Sequence, residues 1–262
     1  MKKFKVIAGP CVIENLMTPM RVASELQRIC DKLNIEYIFK SSYIKANRTH
    51  KDSFKTIGLK NALGVLGDLR KMGHTVLTDV HESIDVHEVS HHVDILQVPS
   101  FLCRQTHLIE SIAVTGKPIN IKKGQFASPQ SMKFAVEKFK RISSKDVYLT
   151  ERGTSCGSSQ LIVDFTGIPI MKEFADHVVI DATHSVQQPN QGEITGGNPE
   201  MIETIALAGI AAGADTLFLE IHPKPKEALS DAQSQLPLEQ AEKLITKISE
   251  LYSFLNETSD SN

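Results

Sequence analysis

Apolar residues in this chain follow two alternating patterns. Short, nearly continuous runs such as Val6-Ile7-Ala8 and Tyr37-Ile38-Phe39 are separated by longer stretches in which apolar positions recur every three or four residues. The first pattern suits a strand buried on both faces, the second an amphipathic helix. Strands are predicted over Phe4–Ala8, Tyr37–Lys40, Thr75–Asp79, Asp94–Val98, Pro118–Lys122, Val147–Thr150, Val178–Asp181 and Thr216–Glu220. Helices are predicted between them, among others Pro19–Leu33, Ile57–Met72, Ser128–Ile142, Pro199–Ala212 and Leu238–Leu255. Several of these open on Ser, Thr or Pro and close near Gly73 or Gly213, the residues expected at helix ends. Eight strand-helix units in about 250 residues match a single closed (β/α)8 TIM barrel, because each parallel crossover carries a helix back outside the sheet. An open doubly wound sheet is the alternative. The barrel is expected to occupy residues 1–255 as one catalytic domain, with 256–262 a polar C-terminal tail.

Nearly every predicted strand ends in a residue that a core does not hold. These are Cys11, Lys40, Asp79 then His81, Gln97, Lys122, Glu151 then Arg152, Asp181 then His184, and Glu220 then His222. In a barrel all these ends lie on one rim, where such folds place their active sites.

Composition narrows the class of function. The 262 residues are 41% hydrophobic and 23% charged, ordinary for a globular protein. A net charge of -2 offers no general field for nucleic acid, so anion binding has to be local. No run is long and apolar enough to span a membrane, and the stretch after Met1 is too short for a signal peptide, so a cytoplasmic location is expected. Cysteines 11, 30, 103 and 156 show no paired spacing, which leaves single thiols for packing or ligation.

Two clusters carry candidate chemistry. Lys40, Lys45, Asn47 and Arg48 follow a buried strand within ten residues, a set of donors that suits more than one anionic group, although a solvated basic loop reads the same way in isolation. Cys11, His184, Glu220 and Asp231 are distant in sequence, but the last strand of a barrel closes against the first and makes them neighbours. A thiolate, an imidazole and two carboxylates suit Fe2+, Zn2+ or Mn2+ better than Mg2+ or Ca2+. Cys11 also reads as a packing thiol under Pro10.

The motifs Ala8-Gly9-Pro10-Cys11-Val12-Ile13-Glu14, Phe39 to Arg48, Thr78-Asp79-Val80-His81-Glu82, Gln97 to Thr106, Lys122-Lys123-Gly124-Gln125-Phe126, Glu151-Arg152-Gly153-Thr154-Ser155, Asp181 to Gln187 and Glu220-Ile221-His222-Pro223 span nearly the whole chain. Together they resemble the family of 3-deoxy-D-manno-octulosonate 8-phosphate synthases. The resemblance implies a transferase that condenses phosphoenolpyruvate with arabinose 5-phosphate, releasing phosphate and making the eight-carbon acid of lipopolysaccharide. It also implies a homotetramer in a Gram-negative-type cell, small-molecule substrates only, and no organic cofactor. One class of the family binds a divalent metal through the cysteine of Gly-Pro-Cys, and the other has asparagine there. Cys11, and the run Ser230-Asp231-Ala232-Gln233-Ser234-Gln235-Leu236, resemble the metal-using class, with one ion per subunit on Cys11, His184, Glu220 and Asp231.

By the same resemblance Lys40, Lys45, Lys122, Gln125 and Arg152 contact phosphoenolpyruvate, with Lys122 and Arg152 on its phosphate. Asn47, Arg48 and Thr49 contact the aldose, and Asp79 and His81 orient its hydroxyls or aldehyde. Cys11, His184, Asp231, Asp79, His81 and Lys45 form the expected catalytic set. The chain departs from the family pattern at Ile44, His50, His107, Cys156, Ser158 and Asn198-Pro199-Glu200, none of which falls in the metal set or the principal cations. Three rival readings stand beside this one. The heptulosonate 7-phosphate synthases use erythrose 4-phosphate and carry Lys-Pro-Arg-Thr where this chain has Lys45-Ala46-Asn47-Arg48. A Schiff-base aldolase would use Lys40 or Lys122 as nucleophile, which requires a lowered pKa. A barrel kept only for binding or assembly is the third.

Overall fold

The computed structural model describes residues 2–47, 52–157, 160–188 and 196–257. Eight parallel strands form its centre: β1 (Lys5–Gly9), β2 (Glu36–Lys40), β3 (Thr75–Asp79), β4 (Ile95–Val98), β5 (Ile119–Lys122), β6 (Val147–Glu151), β7 (His177–Asp181) and β8 (Thr216–His222). Each pairs in parallel with its neighbours in chain order, and β8 pairs in parallel with β1, placing Gly9 opposite Glu220. That last pairing closes the sheet and rules out the open alternative. The helices on the outside are α1 (Met17–Lys32), α2 (Leu59–Lys71), α3 (Val86–Ser90), α4 (Thr106–Val114), α5 (Lys133–Lys140), α6 (Gly167–Lys172), α7 (Ile202–Ala211) and α8 (Leu238–Glu257).

Strand residues alternate between two cores. Val6, Ala8, Tyr37, Phe39, Val76, Leu96, Ile119, Leu149, Ile180 and Leu219 face outward into the layer beneath the helices. Ile7, Ile38, Leu77, Ile95, Tyr148, Val179 and Phe218 form a separate buried cluster inside the barrel. Each such side chain contributes about 1.5–3 kcal/mol on burial, so the interior is a packed plug and not a channel. Two positions further along the same inward face stand Gly9, Lys40, Asp79, Gln97, Thr150, Asp181 and Glu220. The plug is therefore the floor of the polar mouth.

Gly9 is fixed by a close approach. A Cβ there would lie 2.1 Å from the Lys40 carbonyl oxygen, so a side chain would force the ends of β1 and β2 apart. Differences from the predicted elements have local causes. Helices α3, α4 and α6 span five, nine and six residues, too few turns to show a helical period. The expected helices at 128–142 and 199–212 each begin with a separate 3-10 turn, Gln130–Met132 after Pro129 and Pro199–Met201 opening on its proline. The last helix runs to Glu257, past the expected start of the tail, and 258–262 lie outside the described residues.

Candidate active site

The mouth of the barrel is assembled from strand ends and the loops that leave them. Cys11 follows Gly9-Pro10 and is buried. Its Sγ lies 2.9 Å from Ser230 Oγ and 3.4 Å from Asp231 Oδ2, and its N–H donates to Gln235 Oε1 at 3.3 Å. Asp231 adopts φ +48°, a left-handed conformation that aspartate tolerates better than most residues. Glu220 stands on the inward face of β8, its N–H held by Thr183 Oγ1 at 2.8 Å. One ligand atom each from Cys11, Glu220 and Asp231 lie within 4.8 Å of one another.

His184 lies beside this trio without belonging to it. Its Nε2 is 3.6 Å from Glu220 Oε1, while Asp181 Oδ2 takes Nδ1 at 2.8 Å and Asp181 Oδ1 accepts two backbone N–H groups. A carboxylate behind an imidazole fixes the tautomer and leaves Nε2 as the free face, the arrangement common behind metal-ligating histidines. Glu220 Oε2 is buried and has no hydrogen-bond partner among the described residues. Burial, then Asp231 and Glu220, hold the Cys11 thiol pKa well above its usual value. An acceptor without a donor among the described residues, and a thiol whose pKa is raised first by burial and then by two acids, are features a divalent cation would relieve, and the donor chemistry fits one of borderline softness.

Cations surround the same space. Lys40 Nζ reaches Glu220 Oε1 and Ser42 Oγ, both at 3.2 Å, and lies 3.9 Å from Asp79. Lys122 pairs with Asp181 at 2.7 Å and sits 3.8 Å above the Phe218 ring. Burial pulls the Lys122 pKa down, helped by Lys40 and opposed by Asp181 and Glu220. Burial would also lower Lys45, but its acidic neighbours, Cys11 in its thiolate form and then Glu220, Asp231 and Asp79, outweigh it and raise its pKa. Against burial, His184, Lys40, Lys45 and Lys122 draw Glu220 down to about 2. His81 Nε2 contacts Asp79 Oδ2 at 3.1 Å, and His81 Nδ1 is buried without a partner among the described residues. Arg152 is buried, its Nη2 donating to Gln187 Oε1 at 3.4 Å while Nη1 has no partner among the described residues.

Other expected site residues are less engaged. Asn47 is exposed, Gln125 is half-buried, and Arg48 and Thr49 lie outside the described residues. Among the departures, Ile44 packs against the core, His107 and Cys156 are exposed, and His50 and Ser158 lie outside the described residues. Lys123 turns away from the mouth, bonding Thr154 Oγ1 at 3.0 Å and lying 3.5 Å from Glu151. Four residues without a role in the sequence reading are built into the site: Asp181 behind His184, Ser230 beside Cys11, Gln235 on the Cys11 backbone, and Gln187, whose Nε2 reaches Asp231 Oδ2 at 3.4 Å. Asp181 had a signal as a charged residue at an inward strand end, and Gln187, Ser230 and Gln235 stood only as members of the motifs that carry the resemblance.

The fold and mouth define a (β/α)8 barrel whose C-terminal rim gathers buried cations beside a thiol and two carboxylates. The model described as the DAHP synthetase I family matches residues 2–257, and the chain belongs to that family. The chain is 44% identical over 258 residues to the 2-dehydro-3-deoxyphosphooctonate aldolase of Syntrophobacter fumaroxidans, covering 98% of this chain and 90% of that protein. It is 45% identical over 247 residues to the protein of that name from Cyanothece sp., covering 94% and 90%. A third, from Xanthomonas campestris pv. campestris, is 46% identical over 248 residues, covering 94% and 90%.

Proposed function

We propose that this chain condenses phosphoenolpyruvate with D-arabinose 5-phosphate and water, giving 3-deoxy-D-manno-octulosonate 8-phosphate and inorganic phosphate for lipopolysaccharide synthesis. The observation that carries this reading is the buried cation set of Lys40, Lys45, Lys122 and Arg152, with Arg152 Nη1 unpaired among the described residues. A buried donor without an acceptor is costly, and a phosphate oxygen satisfies it. The family's own description points toward the heptulosonate reaction. Relatives at 44–46% identity over nine-tenths of their length, together with Lys45-Ala46-Asn47-Arg48, favour arabinose 5-phosphate.

In this reading Arg152 and Lys122 hold the phosphate of phosphoenolpyruvate and Lys45 its carboxylate, with Gln125 and Lys40 completing the contacts. Asn47, Arg48 and Thr49 take the aldose and its phosphate. The enol carbon C3 attacks the C1 aldehyde, water adds at C2, and the C-O bond to phosphate then breaks. Placing both substrates over the plug of the barrel converts a two-body encounter into an oriented one. Asp79 orients the His81 ring by its contact with Nε2, which leaves Nδ1 to face the aldose. Cys11, Glu220, Asp231 and the Nε2 face of His184 would hold one divalent ion, Fe2+, Zn2+ or Mn2+. Such an ion supplies Lewis acidity toward a carbonyl oxygen or a water. A homotetramer and a cytoplasmic location, where phosphoenolpyruvate is made, belong to the same reading.

The lowered pKa of Lys122 is the one feature that favours a Schiff-base aldolase. Its 2.7 Å pairing with Asp181 keeps the ammonium charged and makes it a poor nucleophile. Phosphate release from phosphoenolpyruvate, assayed separately with each aldose, tests the substrate. Arabinose 5-phosphate is expected to support turnover at least ~100-fold better, about 2.7 kcal/mol of discrimination. A preference for erythrose 4-phosphate overturns the reading.

A further inference from the structure

A second polar cluster joins the two segments that carry the candidate ligands, and no step of the chemistry uses it. Glu14, three residues after Cys11, and His222, two after Glu220, have side chains only 8% and 6% exposed. His222 Nδ1 accepts the Lys224 N–H at 3.1 Å, so the ring proton is on Nε2 and is donated to Glu14 Oε1 at 2.7 Å. Glu14 Oε2 accepts the Leu229 N–H at 3.0 Å. One carboxylate thus ties the segment after β1 to the end of β8 and to the loop that leads directly into Ser230 and Asp231.

We propose that Glu14 is a positioning residue which, through His222 and the Leu229 backbone, sets the spacing between Cys11 and Asp231. This rests on the cation-site reading above. A general stabilising role is the competing explanation, and the geometry distinguishes the two. Glu14 receives two donors, and both hold the chain that leads into Asp231, at the end of β8 through His222 and two residues before Asp231 through Leu229. Replacing it with glutamine leaves one oxygen for two donors and turns an N–H group toward the other. The substitution nearly preserves volume, so it loosens the loop without opening a cavity.

The test uses full-length chains stripped of metal, with Glu14→Gln, His222→Gln and the double variant compared with the unsubstituted protein. Chelator competition reads Zn2+ affinity, and hydrogen exchange of the metal-free chains reads the loop over residues 229–235. Each single variant is expected to bind Zn2+ about 10–100-fold more weakly, the range for a lost partner behind a metal ligand. Exchange should accelerate at 229–235, the double variant should lose no more than either single, and kcat at saturating Zn2+ should return to within about threefold. Zn2+ affinity within twofold of the unsubstituted chain, with unchanged exchange at 229–235, overturns the proposal. A lowered melting temperature with unchanged affinity assigns Glu14 a structural role and also overturns it. An unsubstituted chain that takes up no Zn2+ overturns the cation reading instead, and accelerated exchange in Glu14→Gln still supports its hold on the loop.

Discussion

Cys11→Ala is expected to abolish bound metal and lower kcat by about a thousandfold or more, a loss of roughly 4 kcal/mol in transition-state stabilisation. The substitution removes the only soft donor among the grouped ligand atoms of Cys11, Glu220 and Asp231, and leaves two carboxylates facing each other with less to hold a cation. Cys11→Asn should behave differently. An asparagine amide in place of the thiol carries N–H donors toward Asp231 Oδ2, which lies 3.4 Å from Sγ. It would satisfy acceptors that otherwise need a cation, as the asparagine class of the resembled family suggests. Metal content by elemental analysis and steady-state kinetics read both variants. The expected pattern is no metal in either, with turnover in the asparagine variant at least tenfold above the alanine variant. Equal and complete loss in both contradicts the equivalence of the two chemistries.

Arg152→Ala is the second large expected effect. The guanidinium is buried and has Nη1 without a partner among the described residues. A phosphate oxygen would satisfy that donor. Loss of a desolvated, charge-assisted contact costs about 3–5 kcal/mol, so kcat/KM for phosphoenolpyruvate should fall by about 10²–10⁴-fold. The KM for arabinose 5-phosphate should move far less. Arg152→Lys should recover only part of the loss, because a point charge does not reproduce the two-pronged guanidinium. Equal changes in KM for both substrates would show that Arg152 supports the whole mouth and not one phosphate.

Much of this was legible from the chain because a parallel barrel buries its strands on both faces. Strands such as Thr75–Asp79 and Thr216–His222 therefore stand out as apolar runs, and their last inward residues stand out as charges. Cys11, Glu220 and Asp231 could be grouped once β8 was closed onto β1, which the register of Gly9 opposite Glu220 realises. The partners of those charges were not legible. Lys40 reads as a free cation in its loop, yet it reaches Glu220, 180 positions away. Nothing in a local pattern shows whether a buried lysine faces an acid or awaits an anion. Asp181 behind His184, Gln187 between Arg152 and Asp231, and Glu14 on His222 are equally invisible, since each bond depends on loop geometry and not on periodicity.

The central claim is that one divalent ion in the barrel mouth and the surrounding cations together run a condensation on arabinose 5-phosphate. The most direct measurement follows phosphate release from phosphoenolpyruvate with that sugar, using one preparation as purified, after chelation, and after restoration with Fe2+, Zn2+ or Mn2+, with metal content determined at each stage. The account predicts activity that falls with the metal, to below about a hundredth of its starting value, and returns as about one ion per chain is restored. Full activity in a chain shown to hold no metal would contradict it.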